Sequence, residues 1–193
     1  MSKNVLLNSC LSVYFKWTAM ICCMKTRYFN GIPAAILALV FSVTVHAQEI
    51  KTITNIDASA ETAYFNLTTG KQVPAASDEW DIAFNRTTVL VNGGSSGSGN
   101  AEAVLLKETS FDQVTQRPAD GFKTDTESEK AIPEGSGNGW YEYNMADHSI
   151  NPIPGRVLVI KTTAGTYVKL EILGYYNETN YNSANYSFRY SSL

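Results

Sequence analysis

The chain has 193 residues and a formal net charge of −3, with 15 basic and 18 acidic side chains and 44% hydrophobic residues. That length and apolar content suit one ordinary domain with its own core. The charge balance gives no basic footprint, which disfavours nucleic acid as a partner.

The N-terminal part reads differently from the rest. From Met24, Lys25 and Arg27 form a basic start, Ile32 to Val45 is an apolar run of fourteen residues, and Val45-His46-Ala47 is a small-x-small cleavage site. That order predicts a secretory signal peptide over residues 24–47. Fourteen apolar residues fall short of the roughly twenty that a membrane-spanning helix needs. Residues 1–23, of mixed polarity, are read as an over-extended start. A lipoprotein signal ending at Cys10, Cys22 or Cys23 is the alternative. The predicted mature domain, residues 48–193, holds 11 basic and 18 acidic residues, a net charge of −7. Such a charge also disfavours an anionic membrane surface. All three cysteines precede Ala47, so this domain has neither disulfides nor thiol chemistry.

Gln48 to Ala63 is polar with scattered Ile and predicts an edge strand or lead-in. Ala63 to Val73 predicts a short hairpin turning at Gly70. Glu79 to Val91 reads as one strand, with Trp80, Ile82 and Phe84 on one face and Asp81, Ala83 and Asn85 on the other. Asn92 to Asn100 (NGGSSGSGN) predicts a flexible loop. Ala101 to Lys107 suits a strand, although its composition also fits a helix. Residues 108–139 look least ordered, with Phe111, Val114 and Phe122 as anchors and Lys123 to Glu129 as a candidate short helix. Trp140 to Tyr143 alternates like a strand, and Asn144 to Pro154 reads as a turn-rich connection. Arg156 to Thr162, Tyr167 to Tyr176 and Tyr186 to Tyr190 then alternate with period two, which predicts a three-stranded antiparallel meander. Val168, Leu170 and Ile172 share its apolar face, and Lys169 and Glu171 the other. Short strands without a long amphipathic helix indicate an all-β, mostly antiparallel domain.

The chemical inventory is thin. Residues 48–193 contain one His (His148), one Met (Met145) and no Cys. No serine has a GxSxG context, one His is poor material for zinc, and no acidic ladder supports a calcium loop. A glycan hydrolase would need two carboxylates about 5–10 Å apart in a cleft. The tyrosines at 175, 176, 186 and 190 read as sheet packing that could flank a flat apolar ligand. The inventory points to a binding protein rather than an enzyme.

Four stretches taken together resemble the HmuY-like family of exported haem-binding proteins of Bacteroidetes: Trp80-Asp81-Ile82-Ala83-Phe84, Asn92 to Gly97, Gly165 to Tyr176, and Tyr186-Ser187-Phe188-Arg189-Tyr190. The resemblance implies an all-β fold gripping haem between finger-like loops, and transfer of that haem to an outer-membrane receptor. It also implies two axial ligands, His or Met, from two separated segments. One matching segment, Trp140 to Pro154, supplies Met145 and His148 as candidate haem-iron ligands. The other, Thr109 to Asp125, has neither His nor Met. Three residues apart on one loop, Met145 and His148 are not expected to reach opposite faces of a porphyrin. The resemblance therefore implies one ligand from this loop. The sixth position is then open, filled by Tyr or Lys, or completed by a second copy in a haem-linked dimer. Haem iron accepts His, Met and Tyr. A family member that has lost haem and serves as a surface interaction or structural domain is the alternative. Family members are often lipid-anchored, but no Cys follows Ala47, so the product is expected in the periplasm, at the outer-membrane surface or secreted.

Overall fold

A computed structural model describes residues 49–74 and 77–193. The predicted signal peptide, the stretch upstream of it and the three cysteines lie outside the described residues. Eleven strands follow in chain order: β1 (Lys51–Asp57), β2 (Ala63–Asn66), β3 (Lys71–Val73), β4 (Ile82–Asn85), β5 (Thr88–Val91), β6 (Glu102–Leu106), β7 (Tyr141–Asn144), β8 (Ser149–Pro152), β9 (Val157–Lys161), β10 (Tyr167–Tyr176) and β11 (Ser183–Ser192). They build a five-stranded sheet in the order β1-β11-β10-β9-β6, a four-stranded sheet in the order β3-β2-β4-β5, and the separate hairpin β7-β8. All strand pairings are antiparallel. The described residues contain no α-helix, and no helix among them is long and apolar enough to cross a membrane.

Period-two alternation explains how the sheets meet. Val168, Leu170 and Ile172 on β10, and Tyr186, Phe188 and Tyr190 on β11, point to one face, where all six are buried. The four-stranded sheet covers that face with Phe65 and Phe84. Phe84 stacks on Tyr186 at 4.3 Å, and Phe65 meets Phe188 edge-on at 5.3 Å. The tyrosine-rich face is thus core packing at Tyr175, Tyr186 and Tyr190.

Glu79 to Val91 is not one strand but the hairpin β4-β5, which turns at Arg86-Thr87 with Arg86 at φ +50. Positive φ is uncommon in a non-glycine residue, and three tertiary bonds hold this turn. Arg86 N donates to Ala58 O at 3.1 Å, the Tyr186 hydroxyl donates to Arg86 O at 2.6 Å, and Trp140 Nε1 donates to Thr87 O at 2.9 Å. Tyr186 is fully buried, so its phenol resists ionisation because of desolvation. We expect Tyr186→Phe to cost about 1–2 kcal/mol in urea unfolding, since it removes the donor to the Arg86 carbonyl while keeping the ring.

Three other stretches depart from the sequence reading. Asn144 to Pro154 contains a second strand, β8, paired with β7. Lys123 to Glu129 is not helical: Lys123 is bridged to Ala103 at the β6 edge and Asp125 to Gly94, and Thr126 to Glu129 bends back, with Thr126 N donating to Glu129 O at 2.8 Å. The Gly-Ser loop is cross-braced: the Asn92 side chain donates to Asp78 O and Trp80 O, and accepts from Gly99 N. A Cβ at Gly94 or Gly97 would collide with Asp125 O or the Asn92 side chain, so the glycines there serve close packing.

Candidate functional site

The hairpin β7-β8 pairs Tyr141 with Pro152 at its base and Asn144 with Ser149 at its tip. Its base is anchored in the core. Trp140 packs on Tyr175 and Tyr186 at 5.7 and 5.3 Å, and Ile150 N donates to the Tyr176 hydroxyl at 2.9 Å. The tip, Met145 to His148, has its backbone set by Asx-type bonds, the local device that lets Asn and Asp shape a turn. Asn144 Oδ1 accepts from Ala146 N at 2.9 Å, and Asp147 Oδ1 accepts from Ser149 N and Oγ at 3.0 and 2.7 Å. The Ser149 hydroxyl, then its backbone N–H, hold the Asp147 carboxyl below the usual carboxylate range.

Both candidate ligands sit on this tip. Met145 is 76% exposed, so it is not the core filler that a lone Met usually is. His148 is exposed with φ +60. Its Nδ1 is 2.5 Å from the Tyr143 hydroxyl, a partner that fixes the ring and leaves Nε2 as the remaining nitrogen. Metal-binding imidazoles are commonly oriented through the nitrogen that does not ligate. Sequence reasoning passed over Tyr143. The hairpin register pairs Tyr143 with Ile150, and only that register brings the Tyr143 hydroxyl to His148 in the turn.

The other implied segment leaves β6 and folds back over the outer face of the five-stranded sheet. Gln113 Oε1 accepts from Ser110 N and Oγ, both at 3.0 Å, and closes a 3-10 turn at Phe111–Gln113. Phe111 and Val114 are buried against Val157 and Val159, and Phe122 packs beside them, so the three predicted anchors hold. Lys169, placed by alternation on the face opposite Val168, Leu170 and Ile172, is only 6% exposed beneath this segment. Beside it lies an open cleft of about 740 Å³, lined by Leu106, Thr109 and residues 113–119. The cleft walls carry no His, Met or Cys. Two smaller clefts of about 260 and 160 Å³ likewise have neither Met145 nor His148 in their walls. Among the described residues no three His, Cys, Asp or Glu side chains gather as a metal site.

The model of the HmuY protein family matches residues 58–190. The chain belongs to the HmuY family. Solved HmuY-like structures share its architecture. Apo PinO from Porphyromonas gingivitis is 17% identical, with a TM-score of 0.56 over 76% of this chain and 98% of that one. A Bacteroides fragilis protein described as a lipoprotein is 16% identical, with a TM-score of 0.52 over 75% and 90% of the two chains. A Bacteroides vulgatus protein described as HmuY-like and heme-binding is 16% identical, with a TM-score of 0.50 over 74% and 90%. At such identities these likenesses establish the HmuY fold and not the ligand. No curated protein matches the sequence.

Proposed function

We propose that this HmuY-family protein is an exported binding protein that captures haem or a related porphyrin at the β7-β8 tip. The observation that carries the reading is a solvent-facing Met145 on the same tip as a His148 whose Nδ1 is already engaged. Either side chain gives iron one axial ligand, through Met145 Sδ or His148 Nε2. Tyr143 orients His148, and the Asx bonds keep the tip from rearranging. Residues 109–125 offer no His or Met for the opposite axial position. A second copy of the tip completes it, which makes dimerisation depend on the ligand. An outer-membrane receptor is the partner that would accept the haem.

Titration with hemin tests this directly. We expect a Soret shift at micromolar protein, lost in the Met145→Ala, His148→Ala double variant, with a dimer on size exclusion only when hemin is present. No shift in the wild type ends the proposal. A second reading is a family member without haem that acts as a surface interaction domain. It is favoured by the packing of Phe111 and Val114 onto the sheet, which commits the ligand-poor segment to structure.

A further inference from the structure

Residues 48–193 contain two Asn-Gly steps, Asn92-Gly93 and Asn138-Gly139. In such a step the next backbone nitrogen reaches the Asn side-chain carbonyl most easily, because glycine has no Cβ to crowd the approach. The two steps have opposite surroundings. Asn92 is 0% exposed, and its side chain is committed to three hydrogen bonds, with Asp78 O, Trp80 O and Gly99 N. Its amide cannot turn without breaking them. Asn138 is exposed, and among the described residues its side chain has no hydrogen-bond partner. The backbone there is held more loosely as well. Asn138 N and Gly139 N share one acceptor, Gly135 O, each at 3.2 Å, the long end of the normal range.

The exposed step sits at the root of the hairpin β7-β8. Gly137 N donates to Tyr141 O at 2.9 Å, Ile153 N donates to Trp140 O at 2.9 Å, and Arg156 Nη2 donates to Gly137 O at 3.0 Å. Trp140 is 2% exposed, and its ring nitrogen donates to Thr87 O. Gly139 is buried, and a Cβ there would collide with Pro133 O. Close packing thus demands glycine at the position that leaves Asn138 reactive. It also leaves the main chain no slack on that side.

We propose that Asn138 is a site of spontaneous deamidation in the folded protein, and that its conversion loosens the hairpin β7-β8. Gly139 N gives its proton to solvent base and attacks Asn138 Cγ. The new C–N bond closes a succinimide ring as the Cγ–Nδ2 bond breaks and ammonia leaves. Water then adds to a ring carbonyl. Opening on one side gives aspartate. Opening on the other gives isoaspartate, whose main chain runs through the former side chain and is one methylene longer. Because Gly139 and Trp140 are packed, the bonds at the hairpin root must take up that extra length. The hairpin carries Met145 and His148, but the conversion does not depend on what its tip binds.

The test is incubation of the full chain in mildly alkaline buffer, folded and in urea, followed by peptide mapping with mass spectrometry. In urea neither step is protected, and we expect Asn92 and Asn138 to gain the mass of an amide-to-acid exchange at similar rates. In the folded protein Asn138 should convert at least tenfold faster than Asn92, since three hydrogen bonds must break before Asn92 can react. The isoaspartate form, separated by chromatography, should exchange amide hydrogens faster along β7 and β8 than fresh protein does. Asn138→Gln, whose longer side chain closes its ring far more slowly, should show neither change. Equal rates at the two steps in the folded protein overturn the proposal, as does survival of Asn138 there while the urea-unfolded chain converts. Unchanged exchange along the hairpin of the isoaspartate form overturns the loosening.

Discussion

Asp81→Ala should lower the unfolding free energy by about 3–5 kcal/mol, the scale expected when a buried charged group's partners lose it. Asp81 is 1% exposed and accepts three hydrogen bonds. Leu67 N donates to Oδ2 at 2.8 Å, and Thr163 N and Oγ1 donate to Oδ1, each at 2.8 Å. Its own backbone N–H donates to Phe65 O at 2.9 Å, and its carbonyl accepts from Asn92 N at 3.1 Å. One carboxylate therefore ties the β2-β3 turn in one sheet to the β9-β10 turn in the other, whose Thr163 is 82 residues from Asp81 in sequence. Alanine would leave Leu67 N without its acceptor in a buried site and Thr163 N and Oγ1 without theirs at a half-buried one, and each unpaired buried group costs about 1–3 kcal/mol. An asparagine side chain would keep one acceptor oxygen, so Asp81→Asn should fall between the wild type and alanine. Urea denaturation with matched slopes measures both. A cost under about 1 kcal/mol for alanine would mean that water replaces the carboxylate.

Asp81 also shows where the sequence stops being legible. The β9-β10-β11 meander was readable because period-two alternation is a local consequence of one buried face. So were the Gly70 turn, where glycine supplies the positive φ, and the anchors Phe111, Val114 and Phe122. The Arg86 turn was not, because neither Arg nor Thr signals a turn and its φ is held by Ala58, Tyr186 and Trp140 from distant parts of the chain. Strand β8 was hidden by its Ser-Ile-Asn-Pro composition, since Pro152 reads as a breaker yet ends the strand without needing a ladder N–H. Charge density suggested a helix at Lys123 to Glu129, but Asp125 spends its carboxylate on Val91 N and Ala131 N, which fixes a non-helical path. At the candidate site the residue types and the loop were visible. The Tyr143–His148 contact was not, because it depends on hairpin register.

Lys169→Met should cost about 2–4 kcal/mol, the loss of two bonds from a charged donor, and should free residues 107–122 from the sheet. Alternation places Lys169 opposite the core, and a covering segment makes that face a second interior. Its ammonium donates to Phe111 O at 3.0 Å and Val114 O at 2.8 Å, and lies 4.4 Å from the Phe111 ring centroid. The Arg189 guanidinium is also 4.4 Å from that centroid, and Glu171 Oε2 pairs with it at 2.7 Å. Desolvation is the main reason the Lys169 pKa falls below its ordinary 10.5, with Asp112 opposing and Arg189 adding to the fall. The sign follows from proton counting. Between the lowered value and 10.5 the unfolded chain holds more proton than the folded one, so this group makes stability rise with pH there. Below the lowered value both states are charged and the burial penalty is fully present. Tyr175, Tyr186 and Tyr190, whose ionisation burial suppresses, act the opposite way above the usual tyrosine range. The difference between wild type and Lys169→Met from about pH 7 to about pH 10 isolates the lysine from those tyrosines, because both proteins carry them. That difference should widen as pH rises, and amide exchange should quicken at residues 107–122 in the variant before it does in β10 or β11. Uniform exchange across the sheet would mean that this segment unfolds only with the whole domain.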